Sequence, residues 1–343
     1  MTNPAFSSAG RTSFHEAGDR KNVKPGGSID APVSKPPFFA PRPSEKPRLS
    51  KKQKIALELA DAQTRKDTLR TEGIDRLREL SNAVPRFNVA FIGVKGGAAT
   101  TTTMVYCASI ASDITRSIVF ASDFNPASGT AGVALGKDHD ATLTLQKLRD
   151  ELDSITEPSQ LTSLLRPTPY GVRVVSANNY VSDQSELYGS LTERMLEMLT
   201  RHSEYHFIDT ANDITTTSSR KVLDAADLYV FTANAAVKRS LLLLGTGMEA
   251  VRNLGYGDKV AKSVVSISNV PPGTSLDNYR MYLNHVNNRG EIIRKFDFDG
   301  PFMAIPSDSY VAEDTEVSLE KISWETYQAY LDLDQVLFEQ LTP

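Results

Sequence analysis

From residue 87 onward, short runs of apolar residues alternate with longer stretches in which apolar positions return every three or four residues. The short runs occupy 88–93, 117–123, 172–176, 205–209, 228–232 and 263–268, and they are rich in Val, Ile and Phe. Runs of four to seven such residues, closed by turn residues, predict strands covered on both faces. Stretches such as 191–201 and 241–254 keep the helical period. Strands alternating with helices predict an α/β fold: a doubly wound, mostly parallel sheet with flanking helices. Sites in such sheets gather at the carboxyl ends of the strands.

The first 86 residues are patterned differently. Residues 1–50 carry prolines at 4, 25, 32, 36, 37, 41, 43 and 47 and few large apolar residues before Phe38-Phe39. Such a stretch buries too little to offset its chain entropy, so a disordered Pro-rich arm is expected, with Phe38-Phe39 as a candidate docking motif. Residues 51–84 change to a helical pattern, capped by Ser50, with Ile55, Leu59, Ala62 and Leu69 on one face. Ile74, Leu77 and Leu80 resume that face after Gly73, the other face is strongly charged, and Pro85 closes the segment. The third region, 85–343, is expected to fold without residues 1–83.

Charge sharpens this division. Residues 1–86 hold 17 Lys+Arg and 10 Asp+Glu, a net of +7, whereas the rest of the chain stands at −11. A basic arm on an acidic body suits an anionic target: nucleic acid, a lipid surface or an acidic partner. No apolar run reaches the 18 or so residues that span a bilayer, so no integral membrane association is expected. The N-terminus lacks the apolar core of a signal peptide, and a single cysteine, Cys107, excludes an internal disulfide framework. The expected address is the cytoplasm. His202 and His206 have metal-ligand spacing for a helix, but His206 falls in a strand run and no third ligand accompanies them. The acidic, Tyr- and Leu-rich stretch 324–341 reads as a packed terminal helix, since a membrane-binding helix would be basic on its polar face.

The chemistry lies after the first strand run. Val94-Lys95-Gly96-Gly97-Ala98-Ala99-Thr100-Thr101-Thr102-Thr103 joins that strand to a helix. Small residues and a helix N-terminus place backbone N–H groups at one point, an anion site, and a Thr at the helix start can ligate Mg2+. Against the general phosphate-loop pattern G-x-x-x-x-G-K-[ST], the loop has Val94, Ala99 and Thr100 where Gly, Gly and Lys belong.

The loop resembles the deviant Walker A motif of the ParA/MinD family, K-G-G-x-G-K-[ST]-[ST]. Lys95, Gly96 and Gly97 match its opening; Thr101 and Thr102 match its close. Further landmarks recur in order: Asp123-Phe124-Asn125-Pro126 for D-x-D-P, Asp209 for the Walker B aspartate, Asn269 for an adenine-contacting asparagine, and Ile305-Pro306 for a final I-P pair. The resemblance spans about three-quarters of the chain. It implies binding of ATP with Mg2+ by Lys95, Gly96, Gly97, Ala98, Ala99, Thr100, Thr101 and Thr102, with Asn269 and Pro306 at the base. The metal would rest on Thr101, Asp123 and Asp209. Lys95 inherits the lysine that crosses a homodimer interface, so a face-to-face dimer is implied.

Catalytic positions map to Lys95, Asp123 and Asn125, and here the match fails. An amide at Asn125 can hold a water but cannot accept its proton. Thr100 in place of the loop lysine removes a charge-assisted phosphate contact worth roughly 1.5–3 kcal/mol. The expectation is a nucleotide-binding switch or pseudo-ATPase with very slow or absent hydrolysis, acting through partner proteins. Its Pro-rich extension resembles MinD-like proteins of type VII secretion loci. The alternative is an active partition ATPase whose basic arm binds DNA non-specifically, with Lys238, Arg239, Arg294 and Lys295 as reserve contacts. Iron–sulfur reductases of this fold need two bridging cysteines and are excluded. A metabolic amidotransferase or synthetase ranks third, since no nucleophile constellation is visible.

Overall fold

The structure is a computed structural model describing residues 49–93, 95–125, 130–134, 143–165, 167–177, 185–210, 212–283, 296–313 and 316–343. Phe38-Phe39, Val94, Pro126, Arg294 and Lys295 lie outside the described residues.

Helix α1 (Lys51–Ala83) precedes β1 (Phe87–Gly93), and α2 (Thr100–Thr115) precedes β2 (Val119–Asp123). Next come α3 (Ala131–Ala134), β3 (Leu143–Thr144), α4 (Leu145–Glu151), α5 (Pro158–Leu164) and β4 (Arg173–Ser176). Then follow α6 (Ser185–His202), β5 (Tyr205–Asp209), α7 (Thr217–Ala225), β6 (Leu228–Asn234) and α8 (Lys238–Val251). A π-helical turn (Arg252–Tyr256) leads into α9 (Gly257–Lys262), β7 (Val264–Val270), α10 (Asp277–Leu283), β8 (Phe302–Pro306), α11 (Ser309–Ala312) and α12 (Trp324–Leu341).

Among the described residues eight strands form one sheet in the order β3-β4-β2-β5-β1-β6-β7-β8. Every ladder within it is parallel, so all carboxyl ends share one edge. The six strand runs of the sequence are present. The two others, β3 and β8, are the sheet's edges: one is two residues long and the other is framed by Pro301 and Pro306, which breaks the apolar run.

The sheet is covered on both sides. Ala90, Ile92, Phe120, Ile208 and Phe231 face a core closed by residues of α4 to α8 and α10. Phe87, Val89, Phe91, Phe207 and Val230 face a second core closed by α2, α12 and the end of α1. Two-sided cover explains why β1 is buried at all seven positions. Leu77 and Leu80 belong to that second core, and Ile55–Pro343 form one compact unit. Leu77 and Leu80 at the end of α1 thus contribute to the core, so removing residues 1–83 would take both away. Among the described residues no helix is long and apolar enough to cross a membrane.

Candidate functional site

The carboxyl edge of the sheet holds a cavity of about 290 Å³, bounded by the loop after β1, the first turn of α2, Asn125, Thr130, Asp209 and Asn212. Its floor is set by strand register. Asp123 ends β2 and Asp209 ends β5, and the two pair directly across the ladder. β1, which carries the loop, lies between β5 and β6.

The loop backbone turns through two left-handed residues, Gly97 (φ 82°) and Ala99 (φ 61°). A Cβ on Gly96 or Gly97 would meet nothing within 4 Å, so the cradle has open space above both glycines. Left-handed backbone costs an L-residue roughly 1–2 kcal/mol, which falls on Ala99, where the family pattern has Gly. Ala99 also stands at the N-cap of α2 with no side-chain cap. The N–H groups of Thr100, Thr101 and Thr102 precede the first intrahelical bond, made by the Thr103 N–H to the Ala99 carbonyl (2.9 Å). First-turn amides without helical partners make an anion site.

The side chains of this turn diverge. The Thr101 hydroxyl donates to Oδ2 of Asp209. Thr100 turns the other way: its hydroxyl lies 2.8 Å from that of Thr232 on β6, and it fills the space beside Gly93, where any Cβ would stand 2.1 Å from Thr100 Oγ1. The position that carries a phosphate-binding lysine in the resembling pattern is thus spent on bracing α2 against the sheet. Thr103 adds a second brace, 3.3 Å from the Ser268 hydroxyl.

Asp123 is buried and accepts the backbone N–H of Asn125 (3.0 Å) and of Ala131 (3.3 Å). Burial raises its carboxyl above the usual range despite these donors. Asp209 is held well above that range by burial first and by the neighbouring Asp123 second. Two carboxyls with a hydroxyl form an all-oxygen donor set of the kind Mg2+ takes, and a divalent cation would offset the cost of keeping both acids charged. Among the described residues no cluster of three His, Cys, Asp or Glu could hold a metal; a cation here would depend on Thr101 and on a bound anion. Lys95 borders the cradle beside Gly96.

Asn269 and Pro306 lie apart from the cradle, on β7 and β8, two and three strands from β1. Asn269 is left-handed (φ 56°), a conformation Asn tolerates, and donates to Asn234 at the end of β6 (3.1 Å). The sequence reading missed Thr130, Asn212 and Thr232. Asn212 follows Asp209 closely enough to have been noticed; Thr232 had no signal, because its role depends on register with Gly93.

No protein-family model matches the chain. The ESX-1 secretion-associated protein EspI of Mycobacterium tuberculosis is 22% identical over 234 residues, 68% of this chain. The chain spans about a third of the length of that curated relative. Among solved structures, a ParA family ATPase from Chlorobium tepidum superposes with a TM-score of 0.58 at 13% identity, covering 73% of this chain and 98% of that one. The septum site-determining protein MinD of Pyrococcus horikoshii, complexed with Mg-ADP, gives a TM-score of 0.50 at 15% identity, covering 73% and 94%. The fold is that of the ParA and MinD ATPases.

Proposed function

We propose that this chain is a ParA/MinD-like nucleotide-binding switch that has given up most of its hydrolytic capacity and works as a dimeric scaffold for partner proteins in type VII secretion. One observation supports the reading: on the wall of the cradle, which Lys95, Gly96, Gly97 and Thr101 also border, Thr100 puts a neutral hydroxyl, bonded to Thr232, where the resembling pattern has a lysine. The first-turn amides and Lys95 would hold the phosphates of ATP, and Thr101 with Asp123 and Asp209 would hold Mg2+, which supplies charge neutralisation between phosphate oxygens and acids. Asn125 can orient a water beside the phosphate but cannot take its proton. Lys95 suits a contact across a two-fold dimer, as in the family it resembles. The likeness to EspI supports the secretion setting, and the Mg-ADP complex of MinD supports the ligand class.

Calorimetry with ATP and Mg2+, together with phosphate release, tests this. Weak binding that Lys95→Ala abolishes, with little turnover, is the expected result. Thr100→Lys with Ala99→Gly is expected to tighten binding by about 10- to 150-fold, the value of one charge-assisted contact. Robust turnover by the unaltered chain would favour the partition-ATPase reading instead, for which the basic arm is the supporting feature.

A further inference from the structure

The edge of the sheet opposite the cradle holds a second cavity, of about 380 Å³. α2 joins the two: its first turn borders the cradle, and Ser112 and Arg116 at its other end border this one. Ser117 and Ile118, which lead into β2, form a second wall, and Arg173, which opens β4, a third. Strand register brings the last two together, since Arg173 pairs with Phe120. The rim is the turn 167–171, braced from within. The Thr168 N–H donates to the Val172 carbonyl (2.8 Å), the Gly171 N–H to the Thr168 carbonyl (2.9 Å), and the Val172 N–H to Thr168 Oγ1 (3.1 Å). Gly171 is left-handed (φ 91°), and a Cβ there would stand 2.8 Å from Ser112 Oγ, so the turn seats directly on α2.

The chemistry of the lining is one-sided: guanidiniums and hydroxyls, and no carboxylate among the described residues. The carboxylates bonded to lining residues each serve a different donor. Asp113 pairs with Arg116 (3.2 Å), Glu320 accepts the Tyr170 hydroxyl (2.5 Å), and Glu204 accepts the Ile118 N–H (2.7 Å). Arg173 has no such partner: its Nε is buried with no hydrogen bond among the described residues. A buried N–H without an acceptor costs stability, so it points to an acceptor that the chain itself does not supply.

We propose that this cavity binds a phosphate group carried by a small phosphomonoester, with Arg173 as the principal contact, Arg116 as the outer one and the Ser112 and Ser117 hydroxyls beside them. A phosphate presents three acceptor oxygens, so it can use more of these donors than a carboxylate can, and guanidinium forks suit it. The body of the ester would lie on Ile118, which is 40% exposed, and on Pro169. The C-terminal dipole of α2 opposes an anion by up to about fivefold. Against that, Arg78 already places its Nε on the Ile114 carbonyl at this helix end (3.4 Å), and one charge-assisted contact returns about 10- to 150-fold. The site is separate from the nucleotide cradle and does not depend on the switch reading.

The probe is phenyl phosphate, titrated by calorimetry into the full chain without Mg2+, beside inorganic phosphate and benzoate. Phenyl phosphate is expected to bind with a Kd below about 1 mM, at least roughly tenfold more tightly than benzoate. Arg173→Gln is expected to weaken it by about 10- to 150-fold. Arg116→Gln should weaken it less, because that side chain is 77% exposed and shares its charge with Asp113. In nuclear magnetic resonance the Arg173 Nε–H signal is expected to shift on titration, a readout that needs no variant. Lys95→Ala is expected to bind phenyl phosphate as the unaltered chain does, which separates this cavity from the cradle. Inorganic phosphate binding as tightly as the ester would keep the phosphate site and assign it to the free ion. No binding at about 10 mM, equal binding of benzoate, an unmoved Nε–H signal, unchanged binding by Arg173→Gln, or loss of binding in Lys95→Ala would each overturn the proposal.

Discussion

His206 and Asp334 are both fully buried, and each leaves polar atoms without an N–H or O–H partner among the described residues. His206 Nε2 lies 2.5 Å from the Ser122 hydroxyl, Nδ1 has no partner, and burial lowers the imidazole to about 3. The unfolded chain takes up a proton below about pH 6.5 that the folded chain refuses. Stability is therefore whole above pH 6.5 and falls toward pH 3, by up to about 1.4 kcal/mol per pH unit. Between pH 7.5 and 5, urea unfolding is expected to show the wild type losing about 2 kcal/mol that His206→Leu does not lose. Asp334 has the opposite sign. Burial holds its carboxyl well above the usual range, with the Cys107 thiol as a weak donor in the other direction. The folded chain keeps a proton that the unfolded chain releases above about pH 3.9, so this contribution falls as pH rises. Asp334→Leu is expected to gain about 1–3 kcal/mol at pH 8 and less at pH 5, read by thermal melting at both. Asp123 and Asp209 are raised for the same reason and keep part of the slope. Neither buried group was legible in the sequence. His206 drew notice only for its spacing from His202, and what buries Asp334 is α2, more than 200 residues away.

Among the elements, the strands were easiest to read and the helix contacts hardest. A strand covered on both faces must be apolar throughout, and that leaves a mark such as Val89-Ala90-Phe91-Ile92. A helix records its apolar face but not what lies against it. Gly73 looked like an interruption between two helical stretches, yet α1 runs through it unbroken. The glycine marks a close approach: a Cβ there would stand 2.8 Å from Leu331 Cδ2 and 3.1 Å from Gln335 Nε2. Leu331 is wholly buried, so its side chain would have to repack within the core. Gly73→Leu is therefore expected to push α1 from α12 at a cost of about 1–3 kcal/mol. A lower melting temperature, with faster proteolysis in α1 than in α2, would register it. In the loop after β1 the residue types were legible and their orientations were not; Thr100 facing Thr232 depends on the register of β1 with β6.

Across the whole chain, +7 over residues 1–86 opposes −11 over the rest. If the basic segment meets DNA, its contacts are to phosphates, and three to five of them would weaken binding by roughly 40- to 500-fold between 50 and 200 mM salt. Deleting residues 1–48 is the truncation to make, since it leaves α1 and its buried Leu77 and Leu80 in place. That deletion is expected to flatten the salt dependence measured by fluorescence anisotropy. Unchanged binding would move the contact to the bases that remain in 49–86, such as Lys51, Lys52 and Lys54, or to Lys238 and Arg239, and no binding at low salt by either form would leave the secretion reading. The side-by-side packing of α1 and α12 also bears on how the chain reaches its fold. Its ion pairs join residues 259 and 263 positions apart, and β1 bonds with residues 119 positions further on. At about 5–20 residues per second on the ribosome, α1 waits on the order of 10–50 s for the helix that covers it. For that interval Leu77, Leu80 and one side of β1 have no α12 to cover them, an exposure of the kind that makes emerging chains prone to aggregate.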